Sequence, residues 1–162
     1  MIYLGIGSNL SGAFATSQQL VEQAIALLAT RRMRVCAVSP LYLTPPVGPK
    51  GQGVYVNACL AVTSNLSPTG LLSACHAVEA EFGRLRRIKW GARTLDIDIL
   101  DYHGQILDHR ITLPHPRISH RSFVLVPLSD IAPAWHHPVT GAAIEQLKSG
   151  LPIGDIKAVK QL

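Results

Sequence analysis

Val54-Tyr55-Val56-Asn57-Ala58-Cys59-Leu60-Ala61-Val62-Thr63 alternates with a period of two. Val54, Val56, Ala58, Leu60 and Val62 fall on one face and Tyr55 and Asn57 on the other, as successive side chains of an extended chain do. The stretch predicts a strand with one apolar face to bury. Downstream, Ser67-Pro68 offers a hydroxyl N-cap followed by proline at the first helical position. Leu71, Leu72, Cys75, Val78, Glu79 and Phe82 continue that helix to Gly83, a suitable stop. A loop from Arg84 to Arg93 then leads into another strand, about Leu95 to Tyr102.

Upstream, Met33 to Leu43 alternates again, with Met33, Val35, Ala37, Leu41 and Leu43 as its apolar positions. Thr44 to Gly53 breaks the pattern with Pro45, Pro46, Gly48, Pro49, Gly51 and Gly53, a surface-loop composition. Thr16 to Ala29 carries Leu20, Val21, Ala24, Leu27 and Leu28 at helical spacing, and Met1 to Gly7 reads as a buried opening strand. The order strand, helix, strand, strand, helix, strand predicts an α+β fold of the ferredoxin-like βαββαβ type, an antiparallel sheet with helices on one face. Pro114, Pro116, Pro127, Pro133 and Pro138 punctuate the remainder into short C-terminal elements.

The chain has 162 residues, 48% of them hydrophobic and 15% charged. Residues 1–162 therefore read as one domain with enough chain to bury a real core. The opening residues lack a basic leader and a cleavage site, and no apolar run nears the roughly 20 residues of a membrane span. The expectation is a soluble cytoplasmic protein. Cys36, Cys59 and Cys75 are odd in number and form no Cys-x-x-Cys pair, so they read as buried thiols. The net charge of +5 is uneven: Arg84, Arg86, Arg87, Lys89, Arg93, Arg110, Arg117 and Arg121 place eight of fifteen Lys and Arg residues in about a quarter of the chain. That local positive field suits an anionic ligand.

In Leu95-Asp96-Ile97-Asp98-Ile99 the same period of two sets both carboxylates on the face opposite Leu95, Ile97 and Ile99. Paired oxygen donors there suit a hard cation such as magnesium, although an outer strand face that is merely solvated would read the same way. Beside them, Gly83-Arg84-Leu85-Arg86-Arg87-Ile88-Lys89-Trp90-Gly91-Ala92-Arg93 combines guanidinium forks for phosphate with an indole that can stack on a heterocycle. The alternative is a solvated basic loop with Trp90 on the core. Pro114-His115-Pro116-Arg117-Ile118-Ser119-His120-Arg121-Ser122-Phe123 adds two histidines and two arginines in a proline-stiffened turn. His103, His109, His115 and His120 match no usual zinc spacing, and His136-His137 reads as a surface pair. Gly5-Ile6-Gly7-Ser8-Asn9-Leu10 lacks the third glycine of a dinucleotide-binding turn, and no Gly-x-x-x-x-Gly-Lys-Ser/Thr loop is present. Phosphates would have to be held by metal and arginines.

Together, Gly5-Ile6-Gly7-Ser8-Asn9-Leu10, Tyr42-Leu43-Thr44-Pro45-Pro46, Tyr55-Val56-Asn57-Ala58, Trp90 through Ile99 and Leu113-Pro114-His115 resemble the 6-hydroxymethyl-7,8-dihydropterin pyrophosphokinases of folate biosynthesis. The resemblance runs from the first strand to about Pro133. It implies transfer of pyrophosphate from ATP to the pterin hydroxyl, giving AMP and the pterin diphosphate, with ATP and 6-hydroxymethyl-7,8-dihydropterin as small-molecule partners. It implies that Asp96 and Asp98 bind two magnesium ions, with Arg84 and Arg93 as further catalytic residues. Glu79, Arg84, Arg86, Trp90, Arg93, Ile99, Arg110, Thr112, His115 and Arg121 take the family's ATP-binding positions. Thr44, Pro45, Val47, Tyr55, Asn57, Trp90 and Phe123 take those of the pterin pocket. Three departures stand out: Ala92 in place of a proline, a basic loop one residue shorter, and Pro116 where an aromatic can stand. Slower turnover or weaker binding is expected from them, not lost activity.

Rival readings remain at this level. A single-stranded nucleic-acid-binding module shares the four-strand, two-helix plan, but its aromatic strand motif is absent and two aspartates would repel a phosphate backbone. A metal-dependent phosphohydrolase or nucleotidyltransferase could use the same Asp-x-Asp pair, and an inactive relative could keep the fold alone. No exposed apolar stripe invites a dimer, so a monomer is expected, without nucleic acid or membrane.

Overall fold

The computed structural model describes residues 1–46, 51–83 and 94–162. Among them, β1 (Ile2–Ser8), β2 (Met33–Val38), β3 (Tyr42–Thr44), β4 (Tyr55–Ser64), β5 (Asp96–Tyr102) and β8 (Lys160–Gln161) form one sheet. Its order is β5-β1-β4-β3-β8, with β2 also on β4, and every pairing is antiparallel. The central strand β1 thus lies between the two strands that carry Asn57 and the paired aspartates.

Helices α1 (Ser17–Leu28) and α2 (Pro68–Glu81) cover one face, as the periodicity predicts. Both begin where a hydroxyl can accept from an otherwise unpaired helical N–H: Thr16 from Gln19 and Ser67 from Gly70. Past Phe82, Gly83 adopts φ +75°, a left-handed conformation that a side chain would disfavour, and α2 stops. Leu20, Val21, Ala24 and Leu28 from α1 and Leu71, Cys75 and Val78 from α2 pack on Ile2, Leu4, Ile6, Val56, Ala58, Leu60, Val62, Ile97 and Ile99. Burial of this apolar surface is the main force holding the sheet to the helices.

Several expectations need correcting. Met33 to Leu43 is not one strand: β2 ends at Val38 and β3 resumes at Tyr42, with Pro40, which has no N–H to donate, between them. A bulge lies between Val35 and Ala37, and Cys36, on the face opposite Met33 and Val35, is exposed while Cys59 and Cys75 are buried. Val54 lies outside β4 and is 58% exposed. The C-terminal part also does more than trail behind the sheet. After a short β6–β7 hairpin (Leu107–Asp108, Thr112–Leu113) and a 3-10 turn at Ile118–His120, α3 (Ser122–Ile131) packs on the face opposite α1 and α2.

There Val124, Leu125 and Leu128 of α3 join Cys59, Leu100, Ile118, Trp135 and Ile144 in a second core. The short helices α4 (Ile144–Ser149) and α5 (Ile153–Lys157) follow. A register shift between β1 and β5 turns both Leu100 and Asp101 toward this second core. Asp101 is 3% exposed, and its carboxylate accepts from Trp135 Nε1 and the Gly104 amide, each at 2.7 Å. His137, read as part of a surface pair, packs edge-on against Trp135 and is half-buried. The second face is therefore roofed at one end and open at the other.

Candidate active site

At the open end lies a cleft of about 720 Å³. Its floor is the outer face of three adjacent strands. Gly7 pairs with Asn57 on one side and Asp96 on the other, and Gly5 pairs with Cys59 and Asp98. Glycine at both positions leaves the middle strand without side chains on the cleft floor, so a flat ligand can lie across it. Strands run about 4.8 Å apart, which sets Asn57 and Asp96 roughly two strand spacings from each other. The second glycine is sterically demanded: a Cβ at Gly7 would collide with the Asn57 side-chain oxygen.

One half of the cleft suits a heterocycle. Asn57 is 7% exposed and its Nδ2 donates to Thr44 Oγ1 at 2.6 Å, which fixes the amide with Oδ1 turned over Gly7. Tyr55, Pro45, Pro46 and Phe123 supply apolar and aromatic surface around it. Tyr55 is steadied through its hydroxyl, which donates to Gln52 Oε1 at 3.4 Å, and Gln52 also accepts from Asn9.

The other half suits anions and a cation. Asp96 and Asp98 are both half-buried and line the cleft, while Leu95, Ile97 and Ile99 turn into the cores. Arg121 Nη1 donates to Asp98 Oδ2 at 2.9 Å, and its guanidinium also sits 5.4 Å from the Phe123 ring centroid. His115 Nε2 lies 3.6 Å from the same carboxylate oxygen. Its Nδ1 accepts from the Arg117 amide at 3.1 Å, and its Nε2 also lies 3.5 Å from Arg121 Nη1. Burial lowers the His115 pKa below the ordinary histidine value; Arg121 and Arg117 lower it further and Asp98 opposes them.

Thr44, Pro45, Tyr55, Asn57, Phe123, Asp96, Asp98 and Arg121 thus come together, with His115 at the edge. Other predicted positions sit differently. Glu79 is 2% exposed inside α2, where Oε1 accepts from the Ile97 amide at 2.8 Å. Ile99 packs in the helix-side core, so a ligand would meet its main chain. Arg110 and Thr112 are exposed on the β6–β7 hairpin, away from the cleft lining. Val47, Arg84, Arg86, Trp90 and Arg93 lie outside the described residues. The lining also includes Arg117, His120 and Ser122, which belong to the proline-stiffened turn already noted for its cations. Asp155 and Ala158 line it too. No local sequence signal marks those two, because they arrive from the C-terminal end of the chain.

Comparison with known proteins shows the family and the fold. The profile of the 7,8-dihydro-6-hydroxymethylpterin-pyrophosphokinase (HPPK) family matches residues 3–133. A Methylorubrum extorquens 2-amino-4-hydroxy-6-hydroxymethyldihydropteridine pyrophosphokinase is 46% identical over 132 residues, covering 81% of this chain and 82% of its own. The Pseudomonas aeruginosa protein of the same name is 40% identical over 158 residues, covering 96% and 94%. Among solved structures, an HPPK-DHPS in complex with substrates superposes with a TM-score of 0.70 at 13% identity, over 92% of this chain and 43% of that one. A Plasmodium falciparum HPPK-DHPS with pteroate gives 0.70 at 15% identity, over 92% and 42%. The chain thus spans well under half of those longer proteins, and this likeness speaks for the fold.

Proposed function

Because this chain belongs to the 7,8-dihydro-6-hydroxymethylpterin-pyrophosphokinase family, we infer that it transfers pyrophosphate from ATP to 6-hydroxymethyl-7,8-dihydropterin in folate biosynthesis. The observation that carries this reading is the row Asn57, Gly7, Asp96 across three strands. It puts an amide and a carboxylate on one face with a glycine between them, which supports a heterocycle on one side and phosphates on the other. The hydroxymethyl oxygen forms a bond to the β-phosphorus, the bond from that phosphorus to the α,β-bridging oxygen breaks, and AMP leaves with that oxygen. The hydroxyl proton is released.

On this reading Asn57 Oδ1 accepts from ring N–H groups of the pterin, and Tyr55 and Phe123 pack against its faces. Arg121 reaches from the Phe123 ring to Asp98, so its guanidinium lies where heterocycle and phosphates meet. His115 presents Nε2 in the same region. Two half-buried carboxylates on one strand face match the hard oxygen donors that magnesium prefers, and this ion commonly takes one or two carboxylates and completes its shell with phosphate oxygens and water. Asp96 and Asp98 would hold it, and bound there it would neutralise phosphate charge and draw the phosphates into line. Arg84, Arg93, Arg86 and Trp90 are proposed phosphate and nucleotide contacts on their motif positions alone.

A cytoplasmic location fits the substrates. Among the described residues no helix is long and apolar enough to cross a membrane. A monomer is proposed because, among the described residues, the exposed large apolar side chains come singly from different elements and loops and not from one strand or helix face. The test is chromatographic, on purified protein with ATP, magnesium and 6-hydroxymethyl-7,8-dihydropterin. AMP that requires both pterin and magnesium supports the reading. ADP in its place would mean a simple kinase or hydrolase on this fold.

A further inference from the structure

Residues 153–162 close one side of the cleft, beyond the point where the family profile ends. β8 pairs with β3, setting Gln161 opposite Tyr42 and Lys160 opposite Leu43, and the Leu162 amide donates to Leu41 O at 2.9 Å. Just before β8, α5 packs against α3. The segment therefore bridges the two elements that carry the heterocycle half of the cleft: β3 with Thr44 and α3 with Phe123. From this bridge Asp155 and Ala158 line the cleft.

A carboxylate at that place discriminates by charge and by hydrogen-bond type. It can only accept when ionised. It therefore disfavours a triphosphate on its side and favours a ring edge that presents N–H donors, such as the amino-pyrimidinone edge of a dihydropterin. Ala158, with a single methyl group, leaves room for that edge. We propose that residues 153–162 form a third wall of the heterocycle pocket and that Asp155 is a specificity-determining residue, accepting a hydrogen bond from a heterocycle N–H. This inference rests on the function proposed above.

The test compares wild type, Asp155→Asn, Asp155→Glu and Ala158→Leu in the full chain. It reads KM for dihydropterin and for ATP, the Kd for dihydropterin by titration calorimetry, and the thermal midpoint. Asp155→Asn keeps the size and removes the charge. It is expected to raise both KM and Kd for dihydropterin about five- to tenfold, the scale of one charge-assisted hydrogen bond reduced by solvent access. KM for ATP should stay within about twofold and the thermal midpoint should hold, with Asp155→Glu restoring part of the loss. Ala158→Leu should raise KM for dihydropterin by filling the wall. An active wild type with an unchanged dihydropterin Kd in Asp155→Asn would overturn the assignment and leave the proposed function standing. Equal rises in both KM values, or a large fall in the thermal midpoint, would overturn it in favour of a structural role. A wild type that makes no AMP would overturn both readings.

Discussion

Arg121 donates from Nη1 to Asp98 Oδ2 at 2.9 Å while its guanidinium packs 5.4 Å from the Phe123 centroid. One side chain thus spans the aromatic and acidic halves of the cleft. A guanidinium that neutralises Asp98 also competes with any cation for that carboxylate. Arg121→Ala is expected to slow turnover by about 10²- to 10³-fold, the scale of one donor that stabilises charge developing in the transition state. Manganese, a magnesium substitute visible by electron paramagnetic resonance, should bind at least as tightly as in wild type. Unchanged turnover, or weaker manganese binding, would count against this place for Arg121.

Gly7 has a different kind of constraint. A side chain there meets the Asn57 oxygen, and that amide is held by Thr44. Gly7→Ala must displace Asn57, so KM for the pterin should rise at least tenfold, on the scale of losing one or two hydrogen bonds from the ring edge. The midpoint of unfolding should move much less. Asn57→Ala should give a similar KM, and the double variant should add little, since both changes remove the same contact. Fully additive effects would contradict the proposed coupling.

Glu79 acts on β5 from beneath. Its carboxylate accepts from the amide of Ile97, the residue between the two aspartates. Glu79→Ala leaves that buried N–H without this acceptor, at a cost of about 1–3 kcal/mol, and lets the strand bearing Asp96 and Asp98 shift. Denaturant unfolding should show the loss and turnover should fall with it. Glu79→Gln retains an acceptor oxygen and should lose less of both. A Glu79→Ala protein as stable as wild type would remove this positioning role.

The three thiols separate by exposure. Cys36 should react with a thiol reagent in the native protein at pH 8, while Cys59 and Cys75 should react only after unfolding. Burial pushes the Cys75 thiol up to about 12, with Glu79 and Asp98 adding to it, and burial likewise raises Cys59. In the unfolded chain a thiol ionises near about 8.5, so above that pH the folded state holds protons that the unfolded state releases. Stability from these groups is therefore complete below about pH 8 and falls as pH rises toward the folded values. Tyr42, raised to about 12 by burial and by its hydrogen bond to Asp130, contributes with the same sign only above about pH 10. Urea midpoints measured between pH 7 and 10 should decline, and a rising midpoint would contradict the sign.

Much of this was legible because its causes are local. Ser67-Pro68 caps α2, the alternation around Asp96 and Asp98 sets both on one face, and Tyr55 and Asn57 share the cleft face of β4. What escaped depends on pairing and packing between distant segments. Cys36 is exposed because the face of β2 opposite Met33 and Val35 stays uncovered, a matter of packing that alternation alone does not announce. Leu100 and Asp101 both face the second core because of a register shift between β5 and β1. The packing of α3 on the second face, and the arrival of Asp155 at the cleft through β8 and β3, follow from contacts between residues far apart in sequence. Glu79, a nucleotide contact by resemblance, is buried with its carboxylate on the Ile97 amide, a link between α2 and β5 that no spacing within either element announces.

Transfer of an intact pyrophosphate is the central claim, and the fate of isotopic label tests it most directly. ATP labelled with ³²P at the β-phosphorus, and separately at the γ-phosphorus, would be turned over with 6-hydroxymethyl-7,8-dihydropterin and the products separated by chromatography. Both labels should appear in the pterin product in equal amounts, with none in AMP. β-Label retained in ADP, or γ-label released as free phosphate in step with turnover, would contradict the account.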